Sequence, residues 1–293
     1  MTRAATLPTS SAHPPFTGYG AILRLSEGPD ILDIPDAAMT ALVGGMATPS
    51  TGGSRAAQWG LLREELRAAQ RQLSGTLHAS AADLGDAAFS SINLSALAPV
   101  LQKKIPLAIT AYRESDIRQA VSLADDFHMR LILIGAEEAW RAAGLLAAHH
   151  VPVILNPYAD DPATFDQIGA RLDNPAILDR AGVTISFLAP SIHVNHNAGI
   201  TIREGAGIAV ANGLPWPRAL RALTLNAAET WGITNHYGAL EPGKDADLVI
   251  WNGDPLEPMN APIMVFVRGK QVSLRTRQTQ LEKRYAPAEQ KTP

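Results

Sequence analysis

The sequence predicts an α/β fold with a parallel sheet, and two observations favour it. The first is a set of four short apolar runs with the length of buried strands. They occupy residues 106–111, 130–134, 151–155 and 183–188. The second is the helix-like sequence between them, at residues 115–128, 137–148 and 175–181. Strands that alternate with helices of this length form βαβ units, in which the strands run parallel.

Composition limits the class of protein. The 293 residues are 46% hydrophobic and 18% charged, which is typical of a globular protein with a sizeable core. The net charge of −3 gives no reason to expect nucleic acid or an anionic membrane as partner. Cysteine is absent, which excludes disulfides, thiolate nucleophiles and cysteine-ligated metals. No apolar run reaches about 18 residues and no signal-peptide pattern occurs, so we expect a soluble, cytoplasmic protein.

The first third of the chain has few strand signals. Residues 1–16 are rich in Ser, Thr and Pro, and we expect them to be disordered. Residues 21–25 and 31–34 are candidate strands. Ser54 is the predicted N-cap of an amphipathic helix, because the residues after it place an apolar stripe on one helix face. The stripe comprises Trp59, Leu62, Leu66 and Leu73.

Residues 226–255 contain a run of turn and strand signals, after helix-like segments at residues 202–211 and 217–225. Asn226 is the predicted N-cap of a short helix that ends before Gly232. Pro242 and Gly243 have the chemistry of a type II turn, and residues 248–251 form a strand-like run. Residues 263–267 and 271–274 then predict a hairpin.

The same segment carries a family resemblance. Its sequence, NAAETWGI…GALEPGKDADLVIWNGDPLE, resembles the C-terminal signature of the amidohydrolase superfamily, in the imidazolonepropionase-like branch. The stretch GGSRAAQWGLLREEL, which begins at Gly52, is similar to the same subgroup. The resemblance implies a TIM-like (β/α) barrel with a small composite β-sandwich, and it implies hydrolysis of amides, lactams or esters with one or two divalent metals.

Counting strands predicts that this barrel is incomplete. A closed barrel needs about eight strands, whereas four clear candidates and two weaker ones are present. We therefore expect a partial barrel over residues 17–238, a small β-sandwich portion over residues 239–277 and a loose tail over residues 278–293. An open parallel sheet leaves an edge unpaired. Either an oligomer or partner chain covers that edge, or the chain is a fragment, or its own N-terminal segment covers it.

The metal ligands that the resemblance implies are missing at every position that can be placed. No His-x-His pair occurs in the sequence. Thr110 and Gly135 follow strands where the family has histidine, and Ala189 and Pro190 stand where it has aspartate. A hydroxyl is a poor substitute for imidazole, and proline offers no side-chain ligand.

His193 and His196 are the candidate metal ligands that remain. They lie close together after the last strand of the predicted sheet, and residues 196–198 match a stretch of the resembling subgroup. One interpretation is a vestigial or rebuilt metal or substrate site. The other is a polar loop with two hydrogen-bonded histidines, which the lack of further ligands favours. The adjacent pair His149 and His150 ends a helix, where positive charge is favourable. His13, His78, His128 and His236 are isolated, which indicates surface or capping residues.

Four residues are candidates for substrate binding. Tyr112, Arg113 and Asn156 follow strands, where active-site loops of (β/α) barrels lie, and Asn197 follows His196. Arg113 could hold a substrate carboxylate, or it could pair with a neighbouring acid, Glu114 or Asp116.

Two functions remain open. By resemblance, the chain is a metal-dependent hydrolase of C–N bonds in cyclic amides or peptide-like substrates, with zinc as the expected metal and an impaired metal site. The alternative is a non-catalytic paralogue or subunit that binds a small molecule or pairs with an intact homologue. No nucleophile elbow or phosphate loop suggests a third chemistry.

Overall fold

The structure is a computed structural model. It describes residues 3–8, 15–25, 29–45, 47–51, 53–76, 91–158, 162, 164–189 and 198–285.

The main sheet has seven strands in sequence order, and it curls into half a barrel. Strands β3 to β7 are parallel to one another, whereas β1, β2 and β3 pair antiparallel. The strands are β1 Arg3–Thr6, β2 Phe16–Arg24, β3 Leu32–Leu42, β4 Leu107–Ala111, β5 Leu131–Gly135, β6 Val153–Leu155 and β7 Ile185–Phe187. The predicted fold class, an α/β fold whose parallel sheet forms an incomplete TIM-like barrel, is confirmed.

Ten α-helices are present in the described part of the chain. They are α1 Arg55–Leu73, α2 Ser91–Ala96, α3 Ala98–Leu101, α4 Glu114–Asp126, α5 Ala143–Ala148, α6 Asn174–Arg180, α7 Ala198–Ala211, α8 Trp216–Leu223, α9 Leu225–Trp231 and α10 Arg277–Tyr285. Short 3₁₀ turns occupy Thr48–Ser50, Ala139–Ala142 and Phe165–Gln167. None of these helices is both long and apolar enough to cross a bilayer.

The core lies on both faces of the parallel strands, because side chains of a strand alternate between its two faces. One face packs under the helices, where Ile109, Leu133 and Leu155 belong to the large apolar cluster. The other face, inside the curl, carries a smaller cluster of Ala38, Ala108, Ile132, Ile134 and Ile154.

The N-terminal segment covers one edge of the parallel sheet. Strand β2 pairs with the free side of β3, and Leu7 packs against the cluster inside the curl. Residues 1–16 are therefore not disordered throughout, since Arg3–Thr6 pairs with β2. The propensity pattern missed this strand because its order depends on pairing with a distant segment. The candidate strand at 31–34 is also longer than predicted, at 11 residues.

Local signals predicted helix α1 well and the helix at 137–148 less well. The Ser54 hydroxyl accepts a hydrogen bond from the Ala57 N–H, as expected of an N-cap. The buried stripe ends before Leu73, which is exposed. The second predicted helix divides into a 3₁₀ turn and the short helix α5. A positive φ of 52° at Ala136 delays its start.

The segment that carries the family resemblance forms α9, a turn and a strand. Gly232 ends α9 with a φ of 69°, and the Lys244 N–H donates to the Glu241 carbonyl across the predicted turn. Asn226 is not the N-cap. It lies inside α9, and its side-chain N–H donates to the Ile185 carbonyl of β7 at 2.9 Å. The helix begins earlier because Asn226 is used in this tertiary contact.

A second, three-stranded antiparallel sheet follows. Its strands are β8 Leu248–Trp251, β9 Pro262–Val267 and β10 Lys270–Val272. The predicted hairpin turns at Arg268 and Gly269, whose φ values of 50° and 73° fit a two-residue type I′ turn. Helix α10 lies where a loose tail was expected, and none of its residues is buried.

Candidate functional site at the carboxyl edge of the sheet

The carboxyl ends of the parallel strands bring several polar loops to one edge of the main sheet. Gly44 and Gly45 follow β3, Tyr112 and Arg113 follow β4, and Glu137 follows β5. Sites of (β/α) barrels lie at this edge, because the loops there vary while the strands hold them in place.

Gly135, the last residue of β5, has no room for a side chain. Its φ is 81°, in the region that favours glycine. A Cβ atom there would lie 2.7 Å from Cε1 of Tyr112. The tyrosine ring therefore occupies the space into which a ligand side chain at position 135 would extend.

An arginine–carboxylate network lies beside this ring. The Arg55 guanidinium, in the first turn of α1, donates to both Asp116 and Asp166. Asp116 also accepts a hydrogen bond from Nε1 of Trp59 at 3.2 Å. Arg113 lies 3.2 Å from Asp166, through its Nε atom. These four charged residues, Arg55, Arg113, Asp116 and Asp166, are called the carboxyl-edge cluster below.

Asp166 belongs to residues 164–170, a short segment here called the strap. The Gly45 N–H donates to Oδ2 of Asp166 at 2.5 Å. Further along the strap, Nε2 of Gln167 donates to Glu137 at 3.3 Å, and Nε1 of Trp140 donates to the Gly169 carbonyl at 2.9 Å. The strap therefore reaches the loops after β3, β4 and β5 through polar contacts.

Glu137 is a buried acid beneath the strap. Burial raises its pKa to about 7, against the lowering effect of its hydrogen bonds. Its Oε2 atom has no hydrogen-bond partner among the described residues. Burial also raises the pKa of Tyr112 to about 12, and the nearby charges of Glu137 and Asp166 add to that shift.

The described residues of this edge do not fit a catalytic divalent metal. Thr110, Gly135 and Ala189 lack the imidazole or carboxylate that such a site needs. Two carboxylates of this edge, those of Asp116 and Asp166, bind Arg55, a cation that competes with a metal for the same oxygens. Within the described ranges, no group of three His, Cys, Asp or Glu side chains could hold a metal ion.

The structure brings together two of the predicted site residues. Tyr112 and Arg113 both lie at the carboxyl-edge cluster, and Arg113 pairs with Asp166 rather than with Glu114 or Asp116. Asn156 has a local role, since its Oδ1 accepts from the Tyr158 N–H at 3.2 Å. The other three, His193, His196 and Asn197, lie outside the described residues.

Sequence reasoning missed Arg55, Asp166 and Glu137, and it named Asp116 only as a possible partner of Arg113. Asp166 is 111 residues from Arg55 along the chain, and no local motif connects them. One signal was available, because Arg55 directly follows the N-cap Ser54. That position at a helix start, near the glycines after β3, would have drawn attention to it.

Among the described residues, His149, His150 and His236 lie away from this edge, and each lines a cavity there. His13 and His78 lie outside the described residues. His149 and His150 follow α5 at the opposite edge and line a cavity of about 380 Å³ at the amino ends of the strands. His149 pairs there with Asp125 at 3.1 Å. A second, open cavity of about 680 Å³ lies between β3, the turn after α9 and the small sheet. His236 lines it and is exposed, as predicted.

The resembling segment has a structural role. Nη1 of Arg203, a buried residue of α7, donates to the carbonyls of Pro255, Glu257 and Asn260 at 2.9, 2.7 and 3.1 Å. A Cβ at Gly207 would lie 2.8 Å from the Leu256 carbonyl oxygen, so the glycine permits close packing of α7 against the loop after β8. These contacts fix the C-terminal sheet to the half-barrel.

Comparison with known proteins supports the relation at the level of the family. Residues 175–272 match the sequence profile of the Amidohydrolase family. The amidohydrolase tasK of Hapsidospora irregularis is 36% identical over 190 residues, which are 59% of this chain and 18% of that protein. The chain therefore spans about a fifth of that relative's length. The predicted branch, imidazolonepropionase-like, stays a prediction.

A solved structure shares the fold. The crystal structure of an amidohydrolase from Thermotoga maritima MSB8 superposes with a TM-score of 0.80 at 23% identity. The match covers 94% of this chain and 72% of that one. At this identity the likeness establishes the fold and not the chemistry.

Proposed function

We propose that this chain is an amidohydrolase-like protein, related to metal-dependent hydrolases of C–N bonds, whose own metal site is impaired. The observation that carries the proposal is the pair formed by Gly135 and Tyr112. The position where the resembling family has a histidine ligand is a glycine with a positive φ, and a tyrosine ring fills the adjacent space. A histidine there would need both a different backbone and a different place for the ring.

Two further observations support this proposal. Thr110 stands at the second expected histidine position, and Arg55 binds the carboxylates of Asp116 and Asp166. Any hydrolysis by this chain would then depend on residues 190–197, where His193 and His196 are the candidate ligands. Zinc is the expected metal in that case, and cyclic amides or peptide-like compounds are the expected substrates.

A non-catalytic role is the second candidate, and the C-terminal sheet favours it. No residue of β8, β9 or β10 is buried, although most of them are apolar. A partner chain or an intact homologue would bury such a surface. The carboxyl-edge cluster adds a polar site that could hold a small molecule without any metal.

Metal analysis of the purified protein separates the two candidates. Zinc, manganese and iron would be measured in the wild-type chain and in the double variant His193→Ala, His196→Ala. The matched control is His149→Ala, His150→Ala, a second close pair of histidines at the opposite edge of the sheet. About one equivalent of metal that is lost in the first variant and kept in the control would identify a rebuilt site.

A hydrolysis screen on cyclic amides completes the test. Turnover that depends on metal and on His193 and His196 would support the hydrolase. Turnover that survives the double variant would contradict the assignment of these residues. Protein without metal or turnover, eluting as one species, would favour the non-catalytic role.

A further inference from the structure

We propose that Arg55, Arg113 and the Gly45 N–H form a binding site for a small monocarboxylate, and that Asp166 of the strap occupies it in this structure. The inference does not depend on hydrolysis or on a metal. It rests on the proposed small-molecule role of the carboxyl-edge cluster and adds the chemical class of the ligand.

The first support is the convergence of three donors from three different loops on one carboxylate. Oδ2 of Asp166 accepts from the Gly45 N–H at 2.5 Å, while Oδ1 accepts from Arg55 and lies 3.2 Å from Nε of Arg113. Charge-assisted hydrogen bonds of this kind are the strong ones, and guanidinium groups match the planar carboxylate. The donors follow β3 and β4 or begin α1, and the Arg113 guanidinium also donates to the Phe165 carbonyl of the strap at 2.6 Å.

The second support is that Arg55 has a second carboxylate partner besides Asp166. Its other nitrogen donates to Asp116, whose side chain is 3% exposed and is itself held by Nε1 of Trp59. Without Asp166, two guanidinium groups would face one remaining carboxylate of the cluster. A single excess positive charge suits a ligand with one negative charge.

The third support is the shape of the pocket at Gly44 and Gly45. A Cβ at Gly44 would lie 2.7 Å from Oδ2 of Asp166, and one at Gly45 would lie 3.1 Å from it. The two glycines therefore leave room for a carboxylate oxygen directly against the backbone. Any side chain at Gly44 would fill that room.

The fourth support is the way the strap is attached. Its two large apolar side chains point away from the protein, since Phe165 is 82% exposed and Ile168 is 63% exposed. Apolar burial is the main source of attachment for most segments, and these two side chains supply little of it. The strap is held by hydrogen bonds, of which those of Asp166 and the one that Arg113 donates to the Phe165 carbonyl are charge-assisted. A free carboxylate competes with Asp166 for the donors that bind its side chain.

The test measures whether acetate replaces the missing carboxylate in Asp166→Ala. Thermal unfolding would be followed while sodium acetate is raised to about 200 mM, with sodium chloride at equal ionic strength and acetamide as controls. We expect saturation at millimolar acetate, as befits a ligand of four non-hydrogen atoms. The midpoint should rise by about 2–4 °C at ten times the half-saturating concentration, with no matching rise in chloride or acetamide.

A matched control uses another aspartate near the strap. Asp173 forms an exposed ion pair with Arg171, so Asp173→Ala should show no saturable response to acetate. Adding Arg113→Ala to Asp166→Ala should abolish the response, because one of the two guanidinium groups is lost. Equal midpoints in acetate and chloride for Asp166→Ala would overturn the proposal.

A second measurement covers the case in which Asp166→Ala does not fold. In the wild-type protein, hydrogen exchange of residues 164–170 would be compared in acetate and in chloride at the same ionic strength. Displacement of Asp166 predicts exchange that is several-fold faster in acetate in this segment and unchanged in β5. Identical exchange in the two salts at 200 mM would count against the site. Neither result bears on the metal analysis, so the two proposals fail separately.

Discussion

The two sheets of this protein differ in how their strands are stabilised. In the main sheet, β5 is buried along its whole length and lies between apolar clusters on both faces. In the small sheet, no residue of β8, β9 or β10 is buried. The difference is notable because the small sheet lies within the part of the chain that matches the family profile. A segment that matches the family profile therefore need not contribute buried side chains to the hydrophobic core.

Polar contacts compensate in part for the exposed small sheet. Arg203 donates to three carbonyls of the loop between β8 and β9, and its guanidinium lies 5.0 Å from the centre of the Trp251 ring. Asp247, just before β8, accepts from the Arg268 N–H of the hairpin turn at 2.8 Å. Hydrogen bonds to charged groups supply about 1.5–3 kcal/mol each. The small sheet therefore depends on a few such hydrogen bonds rather than on buried apolar area.

The largest difference should appear when matched aliphatic residues are shortened. Leu133→Ala in β5 removes a fully buried side chain, and we expect a loss of about 2–5 kcal/mol in the free energy of unfolding. Ile250→Ala in β8, where the side chain is 41% exposed, should cost less than about 1 kcal/mol. Chemical denaturation of both variants would measure the difference. Equal losses would mean that the small sheet is covered in solution, as a partner or oligomer would require.

Two glycines with a similar positive φ give a second comparison. Gly135→Ala should cost at least about 2 kcal/mol, since the strained φ is joined by the displacement of Tyr112. Gly269→Ala in the hairpin of the small sheet has a similar φ, but its Cβ would lie 3.8 Å from the nearest atom. We expect that variant to cost about 1 kcal/mol, from backbone strain alone.

The two variants also test the argument against a metal ligand at position 135. Adding Tyr112→Ala to Gly135→Ala should recover the part of the loss that the ring causes, and thermodynamic coupling between the two changes would measure it. Purely additive losses would show that the ring does not restrict this position.

The parts of the fold that the sequence predicted are those with local causes. The N-cap at Ser54, the helix end at Gly232 and the turn at Pro242 and Gly243 each depend on a few adjacent residues. The buried strands were recognised from apolar runs, because parallel strands are covered on both faces. Strand β1 was missed because nothing in its four residues indicates the partner it pairs with.

The site was harder to predict than the fold, for a physical reason. Tyr112 and Arg113 were found because polar residues after parallel strands must share one edge. The predicted ion pair of Arg113 with Glu114 or Asp116 was wrong, because only acids next to Arg113 in the sequence were considered. Asp166 reaches Arg113 from 53 positions further along the chain, and only the packed structure places it there. Which carboxylate an arginine binds is a tertiary property.

A buried acid on the helix face of the main sheet makes the free energy of unfolding depend on pH. Glu65 of α1 is buried, and burial raises its pKa to about 8, since charge is unfavourable away from water. Between its unfolded pKa near 4.5 and about 8, the folded state binds more protons than the unfolded state. The free energy of unfolding therefore falls as the pH rises through this window, and the loss is complete above about pH 8.

Glu65→Gln removes this titration, and near pH 5 its effect should be the smallest of the three comparisons. Near pH 5 the variant and the wild type should be about equally stable, and the variant should become more stable by up to about 4 kcal/mol at pH 9. Glu241→Gln, in the exposed turn before β8, is the matched control for replacing a surface carboxylate. Denaturation between pH 5 and 9 would follow both variants. Parallel curves for wild type and Glu65→Gln would mean that water reaches this carboxyl and that the helix face of the main sheet is less tightly closed than its packing implies.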